Sequence, residues 1–130
     1  MPRKPDEGLT LREGQIMGVI WRSGEVMVEE VQERLDEELA DSTIRTLLAV
    51  MEKKGYVGSR KGAKGKAKVY YPLVPQKEAQ GSALRQLTQR LFEGSADMLV
   101  ARLVEDRQLS LKELNRLQRR LEAQQKEGER

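Results

Sequence analysis

Residues 42–72, STIRTLLAVMEKKGYVGSRKGAKGKAKVYYP, change character halfway along. In the first half Ile44, Leu47, Leu48 and Met51 fall at i, i+3, i+4 and i+7, which is the spacing of one buried stripe on an α-helix. Asp41 or Ser42 is placed to cap that helix, and Gly55 to stop it after Lys54. The remaining faces carry Ser42, Thr43, Arg45, Thr46, Ala49, Val50 and Lys53, a surface that is small, hydrogen-bonding and cationic. In the second half, residues 56–61 and 68–73 read as two strands around a Gly-Ala-Lys-Gly-Lys turn, with Pro72 ending the pairing. From Lys53 to Tyr71 there are seven cations (Lys53, Lys54, Arg60, Lys61, Lys64, Lys66 and Lys68) and no acid. The chain of 130 residues has a net charge of only +3, so the rest of it is net acidic and the charge is segregated. A glycine-rich backbone approaches a surface closely, and lysines place point charges there. Tyr70 and Tyr71 alternate across the second strand, so one of them packs inward.

Working back towards the start, Thr10 and Glu13 form a capping box that opens a helix, and Ser23-Gly24 closes it. Leu11, Ile16, Val19 and Ile20 give this helix its apolar face. Gly14 and Gly18 weaken it by up to about 1 kcal/mol each relative to alanine, and serve close packing or are simply tolerated. Val26, Met27 and Val28 suffice only for a stub of strand. A further helix, VEEVQERLDEEL at 28–39, sets Val31, Leu35 and Leu39 on one side. Its many carboxylates read as a solvated face rather than a metal site. The order helix, stub, helix, helix, hairpin is that of a winged helix-turn-helix, in which the third helix enters the DNA major groove and the hairpin, or wing, follows the backbone.

Beyond Pro75 only helices are expected, so the fold class is mainly α with a small β-hairpin. Residues 76–92 carry Ala79, Ala83, Leu84, Leu87 and Leu91, and Gly94-Ser95 breaks and recaps the chain. Residues 95–106, with Met98, Leu99, Val100, Leu103 and Val104, are apolar around more than one face. Ser110 and Glu113 form a second capping box, accompanied by a Leu109–Leu114 staple, and Leu111, Leu114, Leu117 and Leu121 make a stripe before a polar end. The reading is therefore a flexible tail at 1–8, a DNA-binding domain at 9–74, a helical dimerisation domain at 75–122 and a polar tail at 123–130. Residues 98–104 together with Leu111, Leu114, Leu117 and Leu121 would leave a larger apolar patch than monomers usually expose, and a second copy would cover it, the expected interface being Leu84, Leu87, Leu91, Met98, Leu99, Leu103, Leu114, Leu117 and Leu121. The plainer alternative packs these leucines on the first domain.

Charged residues are 35% of the chain and aromatics 4%, which leaves a lean core. There is no cysteine and no histidine, which removes the usual zinc and copper ligands, the commonest general base and the thiolate nucleophile. No enzyme activity, cofactor or metal is expected. No stretch reaches the roughly 18 to 20 apolar residues that span a bilayer, so the expected location is the cytoplasm.

LTLREGQIMGVIW at 9–21, STIRTLLAVMEKKGYV at 42–57 and the basic hairpin ending in VYYPLV at 69–74 resemble the BlaI/MecI/CopY family of bacterial repressors. ALRQLTQRLFEGSADMLVARLVED at 83–106 and LSLKELNRLQRRLE at 109–122 are similar to that family's dimerisation region. The resemblance implies a dimeric winged-helix repressor on a pseudo-palindromic double-stranded operator. By position it implies DNA contacts from Ser42, Thr43, Arg45 and Thr46 on the recognition helix, beside Lys53, and from Arg60, Lys64, Lys66 and Lys68 in the wing. Arg45 is expected to read a base, because its planar fork matches guanine; the alternative is a phosphate contact. Three positions depart from the family. The Asn-Phe pair cleaved in β-lactam-responsive members aligns with Arg102-Leu103, the cysteine motif of copper-responsive members is absent, and a tryptophan frequent in the first helix is replaced by Gly14. Trp21 matches, as a core anchor. Two other functions fit the same residues: a winged-helix module docking an acidic protein, and an architectural DNA-binding protein without sequence preference.

Overall fold

The computed structural model describes residues 7–65 and 67–128, without the side chain of Lys64. Lys66, and residues 1–6 of the expected N-terminal tail, lie outside the described residues. Among the described residues six α-helices and one hairpin follow in the order α1 (Leu11–Ser23), α2 (Val28–Arg34), α3 (Asp41–Lys54), β1 (Val57–Arg60), β2 (Val69–Pro72), α4 (Gln76–Leu91), α5 (Ala96–Glu105) and α6 (Leu111–Gly128). The chain forms two compact units, one ending at Ala83 and the other beginning at Leu84, with α4 running through the division.

In the first unit, Thr10 and Glu13 close the expected box: Thr10 N donates to Glu13 Oε1 at 2.8 Å and Glu13 N to Thr10 Oγ1 at 3.3 Å. Gly24, at φ 86°, ends α1 where a residue with a Cβ would be strained. The buried face of α1 is Ile16, Met17, Val19 and Ile20. Leu11, expected on that face, is 81% exposed, because it precedes the first turn that meets the core. A Cβ at Gly14 would meet nothing within 4 Å, so this glycine is tolerated rather than demanded by packing.

The stub is a single bridge, with Val26 N donating to Tyr70 O at 2.9 Å and Tyr70 N to Val26 O at 2.7 Å. α2 is shorter than the 28–39 expected and stops at Arg34. Asp36, Glu37 and Glu38 would otherwise sit at its C-terminus, where the helix dipole is negative and repels them. The extended turn at Leu35 instead lets Leu39 reach the core, and Gln32 Nε2 donates to Leu39 O at 3.0 Å.

α3 buries Ile44, Leu48 and Met51 completely, with Leu47 packed against them. Its N-cap is Ala40, and neither Asp41 nor Ser42 caps it by side chain; both lie inside the first turn. Gly55, left-handed at φ 91°, turns the chain into β1. The hairpin pairs Val57 with Pro72, Gly58 with Tyr71, Ser59 with Tyr70 and Arg60 with Val69. Both strands are shorter than expected, and one further bond, Leu73 N to Tyr56 O at 2.8 Å, follows Pro72. Tyr70 is the tyrosine that turns inward. Tyr71 lies across the strand over Gly58, where a Cβ would come within 2.6 Å of its ring. Trp21 anchors the hairpin's exit, donating from Nε1 to Val74 O at 2.9 Å, and Ala79 on α4 still packs on this core.

In the second unit, Ser95 recaps the chain by accepting from Met98 N at 3.2 Å. Glu93 and Gly94, both at positive φ, make the break before it. The box at Ser110 is complete, with both bonds at 3.0 Å. Its bonds to Ser110 hold the Glu113 carboxyl below its ordinary range. α6 continues to Gly128 rather than fraying after residue 122, because Ala123, Gln124, Gln125, Lys126 and Glu127 are good helix formers with no breaker among them. Among the described residues of α4, α5 and α6, none is buried.

Candidate nucleic-acid interface

The stripe that seats α3 in the core fixes which side chains face away from it. Ser42, Arg45, Thr46 and Lys53 are exposed, together with Ala49 and Val50, and Thr43 is half-buried. Thr46 Oγ1 donates to Ser42 O at 3.0 Å, a bond along the helix that holds its hydroxyl in place. Arg45 is not idle in the free protein. Its Nε and Nη2 both lie 3.4 Å from Asp41 Oδ2, one helical turn back. The other oxygen, Asp41 Oδ1, is buried with no hydrogen-bond partner.

Two residues separate α3 from β1, and Ser59 Oγ donates to Glu52 Oε2 at 2.8 Å, tying β1 to the last turns of that helix. A 3₁₀ turn, Ala63–Gly65, forms the tip. Lys61 and Lys68 are exposed on either side of it. Lys64 contributes its backbone to the tip, its side chain and Lys66 lying outside the described residues. Arg60 donates from Nη2 to Glu25 Oε2 at 2.6 Å, so the wing's arginine, like that of the helix, is held by a carboxylate.

Lys54, one of the seven cations of the basic strip, does not belong to this surface. Its Nζ donates to Glu13 Oε1 at 2.8 Å, with the two side chains 14% and 3% exposed. It also donates to Gly8 O at 3.2 Å, and Tyr56 OH donates to Glu7 O at 2.6 Å. Burial pushes the Glu13 carboxyl up, but hydrogen bonds from Lys54 and Thr10 and the Lys54 charge outweigh it and hold the group below its ordinary value of 4.5. Lys54 thus bolts the end of α3 to the start of α1. Sequence reading missed this pair, since nothing local links residues 41 apart. It also missed Asp41 and Glu25 as arginine partners; the first was signalled by i,i+4 spacing, the second by nothing short of the fold.

Among the described residues no group of acids could hold a metal ion, and no helix is long and apolar enough to cross a membrane. A helix seated by one stripe, with a polar, cation-bearing face turned outward and a lysine- and glycine-rich hairpin directly behind it, defines a winged-helix, DNA-binding regulator of transcription. The chain belongs to the penicillinase repressor family, whose model matches residues 9–123. It is 28% identical over 109 residues to the methicillin resistance regulatory protein MecI of Staphylococcus aureus strain N315, covering 81% of this chain and 85% of that one. It is 30% identical over 110 residues to the penicillinase repressor of Bacillus licheniformis, covering 83% and 84% respectively. A solved structure titled transcriptional regulator PA4135 aligns over 78% of this chain and 79% of its own at 19% identity, with a TM-score of 0.47.

Proposed function

We propose that this protein is a cytoplasmic repressor that binds an inverted-repeat operator as a homodimer and blocks promoter access. In this reading Arg45 reads a base from the major groove. Ser42, Thr43, Thr46 and Lys53 fix the helix against phosphates, and Arg60, Lys64, Lys66 and Lys68 hold the flanking backbone. Residues 75–122 provide the dimerisation part. The observation that carries the reading is the contrast across α3, where a stripe of fully buried apolar residues backs onto an exposed face bearing Arg45 and Lys53 beside a wing rich in lysine. A dimer that neutralised about eight phosphates would lose affinity with salt at a log–log slope near −7.

The test is selection of bound duplexes from a random pool, followed by titration of the enriched palindrome and a scrambled duplex at fixed salt. Arg45→Ala is expected to narrow the gap between the two by about 1–3 kcal/mol, the worth of a bidentate base contact. Lys68→Ala is expected to weaken both about equally and flatten the salt slope by about 1. Equal discrimination by wild type and Arg45→Ala would remove the base-reading role, and a pool that yields no palindrome would remove the operator.

A further inference from the structure

The arginines at the centre of the proposed interface are both occupied before any DNA arrives. Arg45 Nε and Nη2 share Asp41 Oδ2 at 3.4 Å, and Arg60 Nη2 sits 2.6 Å from Glu25 Oε2. All four side chains are about half exposed, so these pairs add little to stability. Asp41 is in one respect a burden. Its Oδ1 is buried without a partner, which disfavours folding, and it makes no cap bond. Its negative charge does suit the start of a helix, but its polar contact is with Arg45. Glu25 directly precedes Val26, whose backbone bridges to Tyr70.

We infer that Asp41 and Glu25 are affinity-setting residues, which compete with DNA for Arg45 and Arg60 and so hold down binding to every duplex. The inference rests on the operator-binding reading above. A free guanidinium gains a charge-assisted bond from any phosphate it meets. A guanidinium already on a carboxylate must give up one such bond to form another, so its contact with a base or with the backbone gains less than a free one would. The carboxylates also repel the backbone, which adds to the penalty on any sequence.

The experiment uses the full chain, a random-sequence duplex and the palindrome enriched by the wild type, all at one salt concentration. Asp41→Asn and Glu25→Gln are each expected to bind the random duplex about two- to fivefold tighter, the range an exposed ion pair accounts for. The palindrome gains by about the same factor, because the same pair is broken on either duplex. Glu33→Gln, which removes the same charge from α2, leaves both affinities at the wild-type value. In an Arg45→Ala background Asp41→Asn no longer changes either affinity, and in an Arg60→Ala background neither does Glu25→Gln. A loss of helix-dipole stabilisation in Asp41→Asn would shift its melting temperature without producing this arginine dependence. Wild-type affinities in both carboxylate variants, or changes that persist without the arginines, overturn the inference while leaving the operator reading standing. A wild-type chain that retains no duplex overturns both.

Discussion

Glu13 does two jobs with one carboxylate: it closes the cap of α1 through Thr10 and receives Lys54 from the end of α3. Its cap role was legible from four consecutive residues; its partner was not, because the pair forms only when α1 and α3 are packed. Lys54→Met would leave Glu13 charged, buried and unpaired, and is expected to cost about 3 kcal/mol in urea unfolding. The Glu13 carboxyl is held below 4.5 in the folded chain. Its contribution is therefore fully present above the unfolded value and is lost as the pH falls through the lower, folded one. Unfolding free energies of wild type and Glu13→Gln, measured from pH 7 downwards, should converge only in that acid range. Convergence already at neutral pH would remove the pair from the stability of the fold. Gly58 shows the same dependence on a distant partner, its missing Cβ being filled by the Tyr71 ring across the strand.

At the scale of elements, most starts and stops were written locally. Both capping boxes, the glycine stops at 24 and 55, the break at 93–95 and the buried stripe of α3 lie where the residues place them. Thr10→Ala and Ser110→Ala are each expected to lower stability by about 1 kcal/mol, read from denaturant midpoints. The Ser110 variant should act only on α6, as amide exchange along that helix would report. Neither Asp41 nor Ser42 caps α3, both hairpin strands are shorter than expected, and the larger errors of length fell on α2 and α6, in opposite directions. For α2 the periodic apolar residues ran past the point where crowding of acids at a negative helix end stops the helix. For α6 the polarity of residues 123–128 suggested fraying, although their helix propensity is high. Apolar periodicity marks where a helix must pack; it does not mark how far the backbone can continue.

For the molecule as a whole, the two units differ in kind. The first closes around a core that includes Ile16, Met17, Ile20, Ile44, Leu48 and Met51. The helices of the second leave Leu84 53%, Leu91 71%, Met98 47% and Leu121 48% exposed. A unit of that size with no buried residue among those described is far below what a lone domain needs, which is the physical ground for expecting a second copy. Sedimentation at micromolar concentration should therefore give twice the protomer mass. Leu91→Glu combined with Leu121→Glu should shift it to one protomer and reduce operator affinity on the order of a hundredfold, since the second half-site is then bound without the benefit of linkage. A wild type that sediments as a single protomer would defeat the expectation outright.

The sequence alone determined the order of elements, the inward stripe of α3, the segregation of cations onto the hairpin and the absence of histidine and cysteine chemistry, because each depends on residues within a turn or two of one another. Tertiary structure decided which cations are free. Folding buries Lys54 against Glu13 and sets Arg60 on Glu25, and it brings Asp41 and Arg45 onto the one face that the core leaves outside. Charge falls off over ångströms of space rather than positions in the chain, so a charged side chain's partners beyond its own helix are known only once the chain has folded.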